Sequence, residues 1–247
     1  MRKVGILGCG AIGTLIGEAV EKGIVECEEL ILYDYNREKA EELKRSLSVP
    51  VKLVESVEEM IGLRPRVIVE AASQEAAKEF VPRILKENID LIVMSVGALL
   101  DLNIKSNNIH IPSGAIGGLD AISIAALTGI DEVTLTTRKN PKTLDMKNSQ
   151  EELVYEGNAR EAVRLFPREM NVAATLALTV GSDKVKVNVI SDPKADRNVH
   201  EIKVKWKHGD MFLRFENDPH PANPKTSALA AWSAIKLLKE LLLEKHG

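Results

Sequence analysis

Two cysteines, an aromatic content of 4% and a net charge of only −3 set the first limits on this 247-residue chain. Cys9 and Cys27 have no metal-ligand spacing around them, and so sparse a cysteine content fits a reducing compartment; a cytoplasmic protein is expected. Lys and Arg number 33 against 36 Asp and Glu, so no basic excess recruits nucleic acid or an anionic membrane, and neither is expected as a partner. No apolar run is long enough to span a bilayer. Met1-Arg2-Lys3 leads straight into a strand-like run, so no signal peptide is expected. Internal repeats and low-complexity tracts are lacking as well. What remains is an ordinary globular composition, 45% hydrophobic and 28% charged, with length for one large or two modest domains around a substantial core.

The chain is organised around Lys3 to Gly13, KVGILGCGAIG. Val4 to Leu7 reads as a buried strand that breaks into Gly8, Gly10 and Gly13, the spacing G-x-G-x-x-G. A helical pattern follows, with Ile12, Leu15, Ile16, Ala19 and Val20 on one face. In such a strand-turn-helix unit the first glycine makes the tight turn, the second lets the backbone approach a pyrophosphate, and the third lets helix and strand pack closely. The phosphates then meet the free N–H groups and positive dipole end of the helix. Gly8, Gly10, Ala11, Ile12 and Gly13 are therefore the expected cofactor contacts. Asp34 closes the next apolar run, 21 residues past Gly13. A carboxylate there accepts hydrogen bonds from the adenine ribose and repels a 2′-phosphate, which favours NAD. Arg37 offsets that repulsion in part, so NADP remains open.

Strands and helices continue to alternate. A helix capped by Asn36 runs to about Leu47, and Val51 to Val54 is a third strand. Ser56 and Glu59 fit a capping box. Val67 to Ala72 is a fourth strand, followed by a helix that buries Ala76, Ala77, Phe80, Val81, Ile84 and Leu85. Leu91 to Ser95, closed by Gly97, is a fifth strand, and Ile109 to Ile111 a sixth. The pattern predicts a parallel, doubly wound Rossmann sheet whose ligand sits beyond the carboxyl ends of the strands. Ala71, Ala72, Ser73, Ser95 and Gly97 fall at those ends, where small residues either admit a cofactor or make tight turns.

Near Pro112 the pattern changes. SGAIGGLD, Ser113 to Asp120, precedes a helix from about Leu119 to Thr128; it is either an interdomain linker or a backbone segment reaching the reactive end of a cofactor. From Glu132 alternation sets in, with Val133, Leu135 and Thr137 facing one way and Thr134, Thr136 and Arg138 the other. Strands are predicted over Val185–Ser191, Asn198–Lys207 and Met211–Phe215, the last two joined through His208-Gly209-Asp210. Helices are predicted over Ala159–Leu165 and Asn171–Leu178. The fold class is thus α/β: an N-terminal Rossmann dinucleotide-binding domain over 1–111 and a second α+β domain over 112–225 with an open, mostly antiparallel sheet. A long amphipathic helix over 226–247 is expected to pack back on the first domain.

The first domain supplies no catalyst. Of the histidines, His246 is terminal, His208 lies in a turn, His220 in the Pro-rich DPHPANP loop, and His110 in the short sixth strand. His200 shares the inward face of a strand with Ile202, Val204 and Trp206. There it is either a general acid or base or a hydrogen-bonded core histidine. Arg138, Lys139, Arg168, Lys225 and the N-terminus of a helix opened by Thr226 are candidate partners for substrate carboxylates. Asn198 is a candidate to orient the histidine and Asp120 to set interdomain geometry.

GILGCGAIG, SGAIGGLDA (Ser113 to Ala121), FPREMNVAATLAL (Phe166 to Leu178), DPKADRNVHEI (Asp192 to Ile202) and NPKTS (Asn223 to Ser227) together resemble the L-aspartate dehydrogenase family over essentially the full length. The resemblance implies NAD- or NADP-dependent oxidation of L-aspartate to iminoaspartate, which hydrolyses to oxaloacetate and ammonia or feeds quinolinate and NAD synthesis. It places the catalytic histidine of the D-P-x-x-x-x-N-x-H pattern on His200 and second-half cofactor contacts on Ala115 and Asn171, and it implies a homodimer built through the open sheet; no metal is expected. Two other readings carry different expectations. A dihydrodipicolinate reductase or sugar oxidoreductase would show a His-His pair or a Glu-Lys-Pro after the fifth strand, where this chain has Val96-Gly97. An NAD-responsive regulator would lack the histidine and add a basic binding segment.

Overall fold

The structure is a computed structural model that describes residues 2–102, 104–220 and 223–243, with the side chains of 219–226 outside the description. It divides into two compact units: Met1–Pro112 with Ala231–Gly247, and Ser113–Ala230.

The first unit runs β1 (Lys3–Leu7), α1 (Ala11–Glu21), β2 (Glu29–Tyr33), α2 (Arg37–Arg45), β3 (Val51–Leu53), α3 (Val57–Gly62), β4 (Val67–Glu70), α4 (Gln74–Leu85), β5 (Asp90–Val93), α5 (Gly97–Leu102) and β6 (Ile109–His110). All strands are parallel, in the order β3-β2-β1-β4-β5-β6, the doubly wound arrangement expected of a dinucleotide-binding sheet. Helices on both faces demand strands apolar on both faces. Val67, Ile68 and Val69 of β4 and Leu91, Ile92 and Val93 of β5 are accordingly at 0% exposure.

Local chemistry sets the helix starts. Asn36, Ser56 and Ser73 each accept a hydrogen bond from a first-turn N–H, satisfying donors that have no partner inside the helix. The Ser56–Glu59 box is displaced: Ser56 Oγ accepts from Glu59 N as expected, but the Glu59 carboxylate accepts from Glu55 N, one residue earlier. Two further details differ from the sequence reading. The buried side of α1 passes through Gly13, Ile16, Gly17, Ala19 and Val20, while Ile12 and Leu15 are half-buried. Gly97 opens α5 instead of closing a strand, because β5 already ends at Val93.

The second unit contains α6 (Leu119–Thr128), β7 (Ile130–Lys139), a 3-10 turn over Pro141–Leu144, β8 (Glu152–Asn158), α7 (Ala159–Leu165), α8 (Asn171–Val180), β9 (Val185–Ser191), β10 (Asn198–Trp206), β11 (Gly209–Asn217), β12 (Pro219–His220) and β13 (Asn223–Ser227). Its main sheet has the order β11-β10-β7-β9-β8; only the β7–β9 pair is parallel. The inward face carries Val133, Leu135 and Thr137 of β7, Val185, Val187 and Val189 of β9, and His200, Ile202 and Val204 of β10, all buried. Against it α6 packs on β10 and α8 on β9, and the two helices pack on each other.

β8 is one strand that alternation does not reveal. It is an edge strand, mostly exposed, and a bulge between Leu153 and Tyr155 breaks its period of two. The hairpin turn is Lys207-His208, with Trp206 paired to Gly209, so it falls one residue before the expected triplet; Gly209 sits at φ +152°. The last helix, α9 (Ala228–Leu243), starts two residues after Thr226, which belongs to β13. From Ala231 onward α9 is part of the first unit. Its buried residues Ala231, Ala234, Ile235, Leu238, Leu241 and Leu242 recur at helical spacing. Among the described residues no helix is long and apolar enough to cross a membrane.

Candidate active site

In the first unit the glycine turn is built by close contact between backbones. Gly8 takes φ +98°, and a Cβ there would lie 2.6 Å from the Ala71 carbonyl oxygen. A Cβ on Gly13 would overlap the Gly8 carbonyl oxygen, whereas one on Gly10 would meet nothing within 4 Å. Gly10 is thus the open point of the turn. It is also the N-cap of α1, and no side chain caps that helix, so an anion can take the place of a cap. Asp34 accepts from Cys9 N at 2.7 Å and from Asn36 N at 2.8 Å. It therefore pins the glycine turn to the end of β2, and each oxygen keeps a second acceptor direction. A cavity of about 110 Å³ opens beside it, lined in part by Tyr33, Asp34, Arg37, Leu53 and Glu55. Arg37 is held by Glu41 at 2.9 Å and by Glu55. Burial, and then the Asp34 charge, pushes the Cys9 thiol up to about 12, so Cys9 stays protonated and is not a nucleophile.

One group at this end was not anticipated. Glu70, at the last position of β4, is at 0% exposure. Its Oε1 accepts from Ala72 N and Ser95 Oγ, and its Oε2 from Ser95 N, each at 2.9 Å. Burial pushes its carboxyl above the usual range, and these donors oppose that shift. The available signal was a charged residue closing the apolar run Val67-Ile68-Val69 before small residues.

In the second unit His200 is 2% exposed. Its Nδ1 lies 3.0 Å from Thr137 Oγ1, on the residue directly opposite in β7. Burial, then the charge of Lys139, pushes its pKa down to about 3, so the ring is neutral at physiological pH. With Nδ1 engaged by Thr137, Nε2 is the other ring nitrogen that can accept or donate a proton. Lys139 lies two residues beyond Thr137 on the same face and is 2% exposed. Arg138 points the other way and is held by Asp192 at 2.9 Å and by Glu151. Asn140 Nδ2 donates to the Ala195 carbonyl at 3.1 Å, and Asp192 Oδ1 accepts from Lys194 N at 2.8 Å. These bonds shape the loop that delivers the chain to His200. The Ala115 carbonyl accepts from Asn217 Nδ2 at 3.0 Å, and Asn217 stands opposite Asn198, two residues from His200. Gly118, at φ +71°, lies where a Cβ would overlap Leu213. The glycine-rich stretch thus docks on β11 near the start of β10. Asn171 is the first residue of α8.

Residues 120–241 match the family described as aspartate dehydrogenase, C-terminal, and residues 8–108 match homoserine dehydrogenase, NAD binding domain. The chain is 44% identical to L-aspartate dehydrogenase of Methanothermobacter thermautotrophicus, across 98% of this chain and 97% of that one. It is 40% identical to the Methanosarcina mazei enzyme of the same name, over the same shares. The crystal structure of aspartate dehydrogenase from Thermotoga maritima matches with a TM-score of 0.78 at 30% identity, covering 100% of this chain and 99% of that one. The chain belongs to the L-aspartate dehydrogenase family.

For a member of this family the geometry sorts the sequence candidates. Gly8, Gly13, Asp34 and Ala71 converge at the β1 turn. His200 is brought to Thr137, which sequence reading did not single out because cross-strand register is invisible in it. Of the candidate cations, Arg138 is committed to Glu151 and Asp192, and Arg168 is exposed. The side chains of Lys225, Thr226 and His220 lie outside the described residues, as does His246. His110 bonds Asp90 at 2.9 Å, beside the Arg66–Asp90 ion pair. Asp120 is exposed in the first turn of α6 and Asn198 is buried. Among the described residues no His, Cys, Asp and Glu cluster is arranged to hold a metal.

Proposed function

We propose that this chain oxidises L-aspartate to iminoaspartate with NAD, and that His200 is the catalytic base. The observation that carries this reading is a buried, neutral histidine whose Nδ1 is fixed by Thr137, in a chain of the L-aspartate dehydrogenase family. Bound NAD supplies the hydride acceptor for the Cα–H of the amino acid. Gly8, Gly10, Ala11, Ile12 and Gly13 with the α1 N-terminus would hold its pyrophosphate, Asp34 its adenine ribose, and Ala71, Ala115 and Asn171 its remaining contacts. The open space over Gly10 and the uncapped helix start fit that group. Asp34 beside the cavity, and an Arg37 neutralised by Glu41 and Glu55, favour NAD over NADP.

His200 holds or takes a proton at Nε2, either from the substrate amine as the C–N double bond forms or from the water that attacks the imine. Hydrolysis of the imine gives oxaloacetate and ammonia; intact iminoaspartate is a precursor for quinolinate and NAD synthesis. Lys139, a buried cation on the His200 face, is suited to a substrate carboxylate. The enzyme works in the cytoplasm as a homodimer through the outward face of the β8–β11 sheet, where Phe212 is 59% exposed, without nucleic acid or membrane.

The test is NADH formation with L-aspartate, L-glutamate, L-alanine and D-aspartate. Turnover of L-aspartate alone is the expected result; NAD binding with no turnover of any of them would overturn the enzymatic reading.

A further inference from the structure

Glu70 is a buried carboxylate that accepts three hydrogen bonds from loop groups. Those groups belong to the loops that follow β4 and β5, the carboxyl-end loops of the sheet. The Ala72 N–H bond has a further consequence. It fixes the plane of the Ala71–Ala72 peptide, because a trans peptide that turns its N–H toward Glu70 must turn its C=O the opposite way. That same peptide is what Gly8 rests on: a Cβ on Gly8 would lie 2.6 Å from Ala71 O, 2.7 Å from Ala71 C and 2.7 Å from Ala72 N. The β4–β5 seam is closed further by Met94 N donating to the Glu70 backbone carbonyl at 2.9 Å.

We infer that Glu70 is a positioning residue for the cofactor: through the Ala71–Ala72 peptide it sets the seat of the glycine turn, and through Ser95 it sets the neighbouring loop. The inference rests on the NAD reading above. Glu70 touches no ligand itself; it acts on NAD only through the backbone it holds. A carboxylate suits the task because it accepts all three bonds and donates none. A glutamine of the same shape would set an N–H₂ donor against Ala72 N–H or Ser95 N–H, leaving one buried donor without an acceptor.

The test measures NAD affinity by calorimetry, and kcat with the KM of each substrate, for wild type, Glu70→Gln and Ser95→Ala. Circular dichroism and Tm report the fold. Glu70→Gln is expected to raise the Kd and KM for NAD about tenfold while the KM for L-aspartate and kcat hold. Ser95→Ala, which keeps the carboxylate and removes one donor, is expected to raise the Kd for NAD about threefold. A Glu70→Gln protein that is folded and binds NAD like wild type overturns the inference, as does an equal rise in both KM values. If Glu70→Gln fails to fold, unchanged NAD affinity in Ser95→Ala overturns it. A wild-type protein that does not bind NAD overturns the cofactor reading itself, which separates that failure from this one.

Discussion

The glycine turn of the first unit and the His200 strand of the second use opposite materials. At the turn the working groups are main-chain atoms, kept bare by glycine and held by the carboxylates Asp34 and Glu70. On β10 the proposed working group is one side chain, His200, kept neutral by burial and oriented by the residue across the ladder. A site made of backbone tolerates no added atom. A site made of a side chain tolerates small changes around it and depends on one polar contact. The difference predicts where mutation acts: on cofactor affinity at the glycine turn and on turnover around His200.

The largest effect that would break this contrast comes from Gly13→Ala. Its Cβ would overlap the Gly8 carbonyl oxygen, and NAD affinity is expected to fall roughly a hundredfold, as read by calorimetry. Near-normal binding would show that backbone fit does not govern the turn. Next, Thr137→Val removes the partner of Nδ1 without changing side-chain size. It should lower kcat about tenfold and leave the Kd for NAD alone; a loss of NAD binding instead would erase the distinction between the units.

Stability against pH sharpens the contrast. His200 has its pKa lowered from 6.5 to about 3 in the folded protein. In that window the unfolded chain binds the proton and the folded chain does not. Stability is full above pH 6.5 and declines as pH falls toward 3, by up to about 1.4 kcal/mol per pH unit from this residue. Urea unfolding of wild type and His200→Asn at pH 7 and pH 5 measures it: the wild type should lose more stability than the variant. The smallest effect is Glu55→Gln. Releasing Arg37 from one carboxylate should shift the NADP-to-NAD preference by about threefold, since the pair is exposed and screened.

The same difference explains what the sequence revealed. Gly8, Gly10, Gly13 and Asp34 lie within 27 residues, and their placement follows from local turn and helix geometry, so the glycine turn is legible directly. The limits of α6, α7 and β9 also agree with the sequence reading. From its strand position alone His200 fits two readings, an acid or base and a core histidine, because its burial and its Thr137 partner, 63 residues away, arise from strand pairing. Glu70 is hidden in the sequence for the same reason: its three bonds reach across the end of a sheet, and in the sequence it is one acid at the end of a strand. β8 escaped because an exposed, bulged edge leaves no alternation to see.

The central claim is that the glycine turn of the first unit anchors the cofactor and that His200 does the proton chemistry. The most direct measurement is steady-state NADH formation from L-aspartate by wild type and His200→Ala, with NAD affinity determined on the same samples. The account predicts a loss of kcat of about 10²–10⁴-fold with NAD affinity unchanged. A variant that keeps turning over L-aspartate would contradict it.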